Sequence, residues 1–437
     1  MTVARLLRTR LERSLARLPL TDRVTYAREL VSATFYGLYA GIAIPLVPIV
    51  ARRIGMTPEA ITAMVTMQFV SALFGMLLGH LAENRPKMPF VTWPNVAGRG
   101  AVSFLALAND PVSFLVVASV FYFSLNLSGP AYASIMRTNY STQNRGRLMG
   151  NIRILVTVVS AVVSTAAGIV LVSSEHLVRW LFLAAGIFGV LSSLLFALIK
   201  VRRDPASDAL PATAPSRAPG AAPAVAPAVP LSVRPRGRTM RLLAANRSLL
   251  LFLSVYFVCA SPDKLAIPLE PIWMVDTLHL DYGEASLLLG TVTSLAGVAG
   301  YFFWARALKR RSSFTLMVWV VAFFAARFAS LALARTGIQL LPMSVFSGIC
   351  NAGWDLVPLF CMIELTDPAA FSLAFGVHTT LFGIRGVIGP ALGTYLYATG
   401  LVSLPAIFWL IAAVLGAGAV MMAVFSRGRR AGSASRA

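Results

Sequence analysis

Asp263 and Lys264 stand side by side in SPDKLAIPLEP (261–271), with Glu270 seven residues beyond the aspartate, in a stretch otherwise rich in Leu, Ile, Ala and Pro. A carboxylate beside an ammonium can hold a proton, pass one on, or bind a charged solute. Inside an apolar segment each charge costs about 3 kcal/mol or more unless it is paired or hydrated, so its presence needs a reason. On a continuous helix Asp263 and Glu270 share one face. NAGWD sets Asn351 and Asp355 four apart on one face, and His378 and Arg385 lie seven apart further on. These residues predict a polar cluster in the C-terminal half, with Asp355 and Arg385 as partners of Asp263 and Lys264. A set of purely structural ion pairs, such as Lys264 with Asp355, uses the same residues and is the alternative. Lys264 and Arg385 tilt the cluster towards an anionic or zwitterionic solute. In the N-terminal half, Tyr36, Tyr39, Gln68, Tyr122 and Asn126 are the candidate cavity liners. Arg99 and Arg327 fall in mid-segment, where a structural role weighs as much as a functional one. Glu270 is expected close enough to the segment end to reach water.

The chain that must position these groups has 437 residues, of which 57% are hydrophobic and only 13% charged. Its mean hydropathy is +0.74. Soluble proteins carry roughly 25% charged residues, so the solvent for most of this chain is lipid. Three cysteines (Cys259, Cys350, Cys361) and four scattered histidines form no C-x-x-C or H-x-x-x-H pattern. They imply no disulfide frame, no metal site and no cofactor. There is no phosphate-cradling glycine loop, so a nucleotide is not the direct energy source and no enzymatic chemistry is indicated.

Apolar runs near 29–51, 59–81, 90–108, 111–135, 148–172 and 178–200, then 248–274, 284–304, 314–334, 339–364, 372–398 and 404–425, predict twelve transmembrane helices. Thirty of the 38 Lys and Arg residues fall on one side of such a layout, four on the other (Arg52, Arg53, Arg179, Arg335) and four within spans. Positive residues mark the cytoplasmic side, which places both termini there, in a plasma membrane of the bacterial inner-membrane kind. The net charge of +21 is therefore topogenic, and nucleic acid is not an expected partner. Residues 201–247 form a Pro/Ala-rich cytoplasmic linker between two six-helix halves, 29–200 and 248–425, with a short tail at 426–437. RLLRTRLERSLARL, within an arm at 1–28, carries a leucine stripe and reads as a helix lying in the membrane interface.

IAIPLVPI (42–49) returns as LAIPLEPI (265–272), and the counterparts of Asp263, Lys264 and Glu270 are Ala40, Gly41 and Val47. Glu59-Ala60 and Glu284-Ala285 follow, each with a glycine sixteen residues on, Gly75 and Gly300. Ordered landmarks of this kind mark an internal duplication. The paired prolines predict matching kinks in the first and seventh helices. With this layout and GHLAENRPK (79–87), the chain resembles the major facilitator superfamily over its whole length. Gly79 and Lys87 match the signature of that family's first inner loop, Glu83 substitutes for its Asp, and Asn84, Pro86 and Met88 depart from it. The resemblance implies an all-α fold of two six-helix bundles related by a pseudo-twofold axis. It implies a secondary active transporter of a small solute, working by alternating access and functional as a monomer; the carboxylates within the spans point to protons as the coupling ion. It also implies an inner latch loop carried here by Gly79, Glu83, Arg85 and Lys87. A non-transporting scaffold or sensor on the same fold is the alternative. Intact charges in the spans favour transport, and efflux and uptake stand equally.

Overall fold

The computed structural model describes residues 18–74, 86–201, 246–366 and 371–434. The described chain is helical throughout, with no strand. We number the helices α1 (Leu20–Arg53), α2 (Pro58–Leu73), α3 (Lys87–Phe104), α4 (Pro111–Ser124, continued as Gly129–Asn139), α5 (Thr142–Ser173) and α6 (Val178–Ala197) in the first half. The second half holds α7 (Arg247–Cys259, Pro262–Ala266 and Leu269–Ile272), α8 (Tyr282–Ala285 and Thr293–Leu308, joined by a π-helical turn), α9 (Ser313–Leu333), α10 (Leu341–Leu365), α11 (Phe371–Ala398) and α12 (Leu404–Ala434). Among the described residues eight of these are long and apolar enough to cross a bilayer: α1, α5–α10 and α12. Over the described residues alone, the helices at the four other expected positions are shorter or less apolar. Large apolar side chains such as Val162, Trp180, Phe302 and Val424 face outward, as they must where the surroundings are lipid.

Two boundaries differ from the sequence reading. The first helix starts at Leu20, so part of the expected interfacial arm is the inner end of α1. There Asp22 is buried and accepts hydrogen bonds from the Ser141 amide (3.0 Å), the Ser141 hydroxyl (2.6 Å) and the Asn144 amide (2.9 Å). The rest of that arm, the linker, and Gly79, Glu83 and Arg85 of the latch loop lie outside the described residues; Lys87 opens α3. The second lies between the runs read as 111–135 and 148–172. It is two helix ends meeting at Tyr140 and Ser141.

The repeat landmarks are helix starts. Thr57 caps α2 by accepting from the Ala60 amide, with Glu59 in the first turn. Asp281 and Glu284 form a capping box at the start of α8. The repeated prolines behave differently in the two halves, against the expectation of matching kinks. In α1 the helix runs unbroken through Pro45 and Pro48. Pro45 has no N–H for the Gly41 carbonyl, and the Ser164 hydroxyl of α5 donates to that oxygen instead, at 2.5 Å. In α7 a third proline, Pro262, stands where α1 has Tyr39, and the helix separates into short pieces ending in a π turn at Trp273–Thr277. Three prolines within ten residues strip too many amides for one helix to survive.

Within the first half, α1 packs on α5 and α6, α3 on α4 and α6, and α2 on α4. The second half repeats the scheme six helices later, with α9 on α10 and α12, α8 on α10, and α7 on α11 and α12. The halves meet along α2–α11 and α5–α8, which are twofold mates under that repeat. All inter-half hydrogen bonds among the described residues cluster towards the end opposite the termini. Arg52 of α1 pairs with Asp276, Thr62 meets Thr394, Thr165 meets Thr291 (3.1 Å), and the Ser286 hydroxyl donates to the Ser164 carbonyl (2.9 Å). Gly283 and Gly290 let α8 close on α5, because a Cβ at either would strike Val172 or Ser164. At the end carrying the termini, Arg153 of α5 faces Asp355 of α10 from beyond ion-pair distance, and both are exposed. Among the described residues the halves are joined by hydrogen bonds at one end only.

Candidate functional site: a charged cavity between the halves

A cavity of about 340 Å³ lies between the halves. The first half supplies Pro48 and Ile49 from α1, Val65 and Gln68 from α2, and Tyr122 from α4. The charge comes from the second half. Lys264 Nζ bonds Asp263 at 2.7 Å, and Arg327 on α9 bonds Glu270 at 2.7 Å. Both α7 carboxylates, Asp263 and Glu270, line the cavity, the shared side that their seven-residue spacing predicts. Asn351 and Trp354 of α10, Phe324 of α9 and Phe382 of α11 complete this wall.

Desolvated ion pairs of this kind persist only where geometry and further hydrogen bonds offset the loss of water. Arg327 meets this condition, donating also to the Ser347 hydroxyl at 2.7 Å while its guanidinium sits 4.6 Å from the Phe328 ring. The Lys264–Asp263 pair meets it less fully. Asp263 keeps one buried oxygen without a hydrogen bond, and Lys264 Nζ lies 5.4 Å from the Phe382 ring and 5.6 Å from Phe69 of the opposite half. Glycines on α11 make this approach possible, with Gly389 against Lys264 and Gly386 against Phe69.

The sequence profile of the Major Facilitator Superfamily matches residues 30–261 and again 252–436. The chain belongs to the Major Facilitator Superfamily. No curated protein matches it in sequence. Among solved structures it resembles a mutant of the nucleoside transporter NupG, with a TM-score of 0.65 at 13% identity over 92% of this chain and 99% of that one. An auto-inhibited peptide transporter of the POT family gives 0.65 at 14%, covering 94% and 97%. A bacterial homolog of the human lysosomal transporter Spinster, inward-facing and occupied, gives 0.63 at 13%, covering 94% and 98%. At such identities the likeness is one of fold, and the superfamily makes this a multi-pass membrane transporter.

Within the superfamily fold the expected site residues divide. Asp263, Lys264, Asn351, Gln68 and Tyr122 line the cavity. Asn126 lies behind that wall, donating to the Gln68 carbonyl at 2.7 Å. Tyr36 and Tyr39 do not line it; they serve the interior of the first half, where the Arg99 guanidinium lies 4.6 Å and 5.9 Å from their rings and bonds Ser192 and Ser193 of α6. Asp355 is not the partner of Lys264. It accepts from the Tyr301 hydroxyl at 2.6 Å and faces Arg153 of the first half. His378 packs 5.0 Å from the Tyr256 ring. Arg385 is buried among Tyr256, Trp354 and Phe382, each ring 5.1–5.5 Å from its guanidinium carbon. Glu270 and Arg327 are cavity residues; the sequence reading expected Glu270 to reach water and weighed structure and function equally for Arg327. Both were visible as charges within a span, but their pairing across helices was not.

Proposed function

We infer that the protein is a secondary active transporter that moves a small organic solute by alternating access, with proton movement as the coupling. The observation that carries this is a charged cavity at the interface of the two halves, with the inter-half hydrogen bonds of the described residues gathered on one side of it. Parallel six-helix repeats with the site between them are an established transporter design, in which one half rocks against the other. The basic residues support a cytoplasmic position for the end that carries the termini. Rocking that opens the Arg52–Asp276 and Thr62–Thr394 contacts would carry Arg153 towards Asp355, an opposite charge on the second half. Asp263 is the proposed proton carrier and Lys264 its tuning partner. When Asp263 takes a proton, Lys264 loses its counterion and the cavity gains a free cation.

Flux into proteoliposomes under an imposed pH gradient, screened over anionic, cationic and neutral solutes, tests this. At least one class should accumulate and should stop accumulating when a protonophore collapses the gradient. Failure of a correctly reconstituted protein to move any class would favour the scaffold or sensor reading.

A further inference from the structure

The charges of the cavity do not balance. Lys264 is matched by Asp263 and Arg327 by Glu270, but Arg385, one ring behind the cavity wall, has no carboxylate partner among the described residues. Its side chain is 2% exposed, and none of its three guanidinium nitrogens has a hydrogen-bond acceptor. The Tyr256 hydroxyl lies near without the geometry of a hydrogen bond. The flanking rings of Tyr256, Trp354 and Phe382 help a cation–π fit but supply no countercharge. Lys264 lies close enough to Arg385 for their charges to repel, and its ammonium uses one of three donors. Among the described residues the local sum is one positive charge in excess.

The walls define the rest of the ligand. Tyr122 from the first half and Phe324, Trp354 and Phe382 from the second present aromatic surface around the two cations. The volume, about 340 Å³, is at the small end of the range for small-molecule sites. We propose that the site takes a small organic monoanion, a single carboxylate on a flat apolar body, with the carboxylate received by Lys264 and its charge balanced by Arg385. This rests on the reading of the cavity as the transport site. Lys264 reaches the cavity directly, whereas Arg385 stands behind Trp354 and Phe382, the rings that also flank the solute. A cationic solute would meet the excess positive charge, and a neutral one would leave it unmatched.

The test is a charge series on one ring: benzoate, benzamide and benzylamine, titrated onto the purified full-length protein in detergent and read by thermal-stability shift. Benzoate should bind saturably and the other two at least tenfold more weakly. Lys264→Met and Arg385→Gln should each weaken benzoate tenfold or more, while Arg385→Lys keeps most of the affinity. The wild-type series stands alone if a variant fails to fold. Benzylamine binding as tightly as benzoate, no benzoate binding at all, or benzoate affinity unchanged in both variants would overturn the proposal. Saturable benzoate binding without flux of any solute would sink the transport reading and leave this one. Flux of cationic or neutral solutes with no benzoate binding would do the reverse.

Discussion

Arg327 shows most clearly what one residue contributes here, because it closes a pair that spans two helices. Removing its charge leaves Glu270 desolvated beside the cavity with only part of its hydrogen bonding replaced. Breaking a buried pair from one side costs about 3–5 kcal/mol, whereas replacing both partners by uncharged groups is often close to neutral. Arg327→Leu should therefore lower the thermal midpoint of the purified protein well below that of the Glu270→Gln/Arg327→Leu double variant. Equal loss in both would show that the two residues act independently. Asp263→Asn tests the other pair through function, since the side chain keeps its shape and loses its proton. Solute exchange should persist while its dependence on the pH gradient disappears; retention of gradient-driven accumulation would remove Asp263 as the carrier. Both aspartate and arginine were legible in the sequence as charges where lipid forbids idle ones. Their partners were not, because spacing along one helix gives depth and face but not which neighbour comes opposite. Hence Asp355 was expected at Lys264 and stands instead with Tyr301 and Arg153.

At the scale of the helix, the repeated prolines carry the lesson. IAIPLVPI and LAIPLEPI announce a duplicated element correctly, and the capped starts at Thr57 and Asp281 confirm the frame. Their different fates depend on groups outside the motif. Ser164, on another helix, donates to the carbonyl that Pro45 abandons, and Pro262 adds one break too many to α7. No reading of either octapeptide alone could have seen a hydroxyl arriving from α5. Ser164→Ala should leave the Gly41 carbonyl without its donor, costing about 1–3 kcal/mol of stability. The Ser286 hydroxyl would still reach the Ser164 backbone oxygen, so the α5–α8 contact should survive. A midpoint unchanged by the substitution would mean that α1 satisfies that carbonyl in another way.

For the whole molecule, the two interface pairs α2–α11 and α5–α8 are twofold mates, and that symmetry permits one rocking motion to open either end. The helical membrane class and the superfamily could be read from hydropathy and repeated landmarks alone. Where the halves close on each other could not, since it depends on small residues such as Gly283 and Gly290 meeting α5. The Pro/Ala-rich composition of 206–234 carries no pattern able to form a packed core, so replacing it with a Gly/Ser chain of equal length should leave flux unchanged. Loss of flux with normal insertion would give that segment a role of its own. The most direct test of alternating access is a disulfide between the halves at their hydrogen-bonded end. Thr62 and Thr394 touch through their side chains. With both changed to cysteine, oxidation should lock that end shut and abolish solute flux in proteoliposomes, and reduction should restore it. Flux continuing at the normal rate through the cross-linked protein would contradict the account.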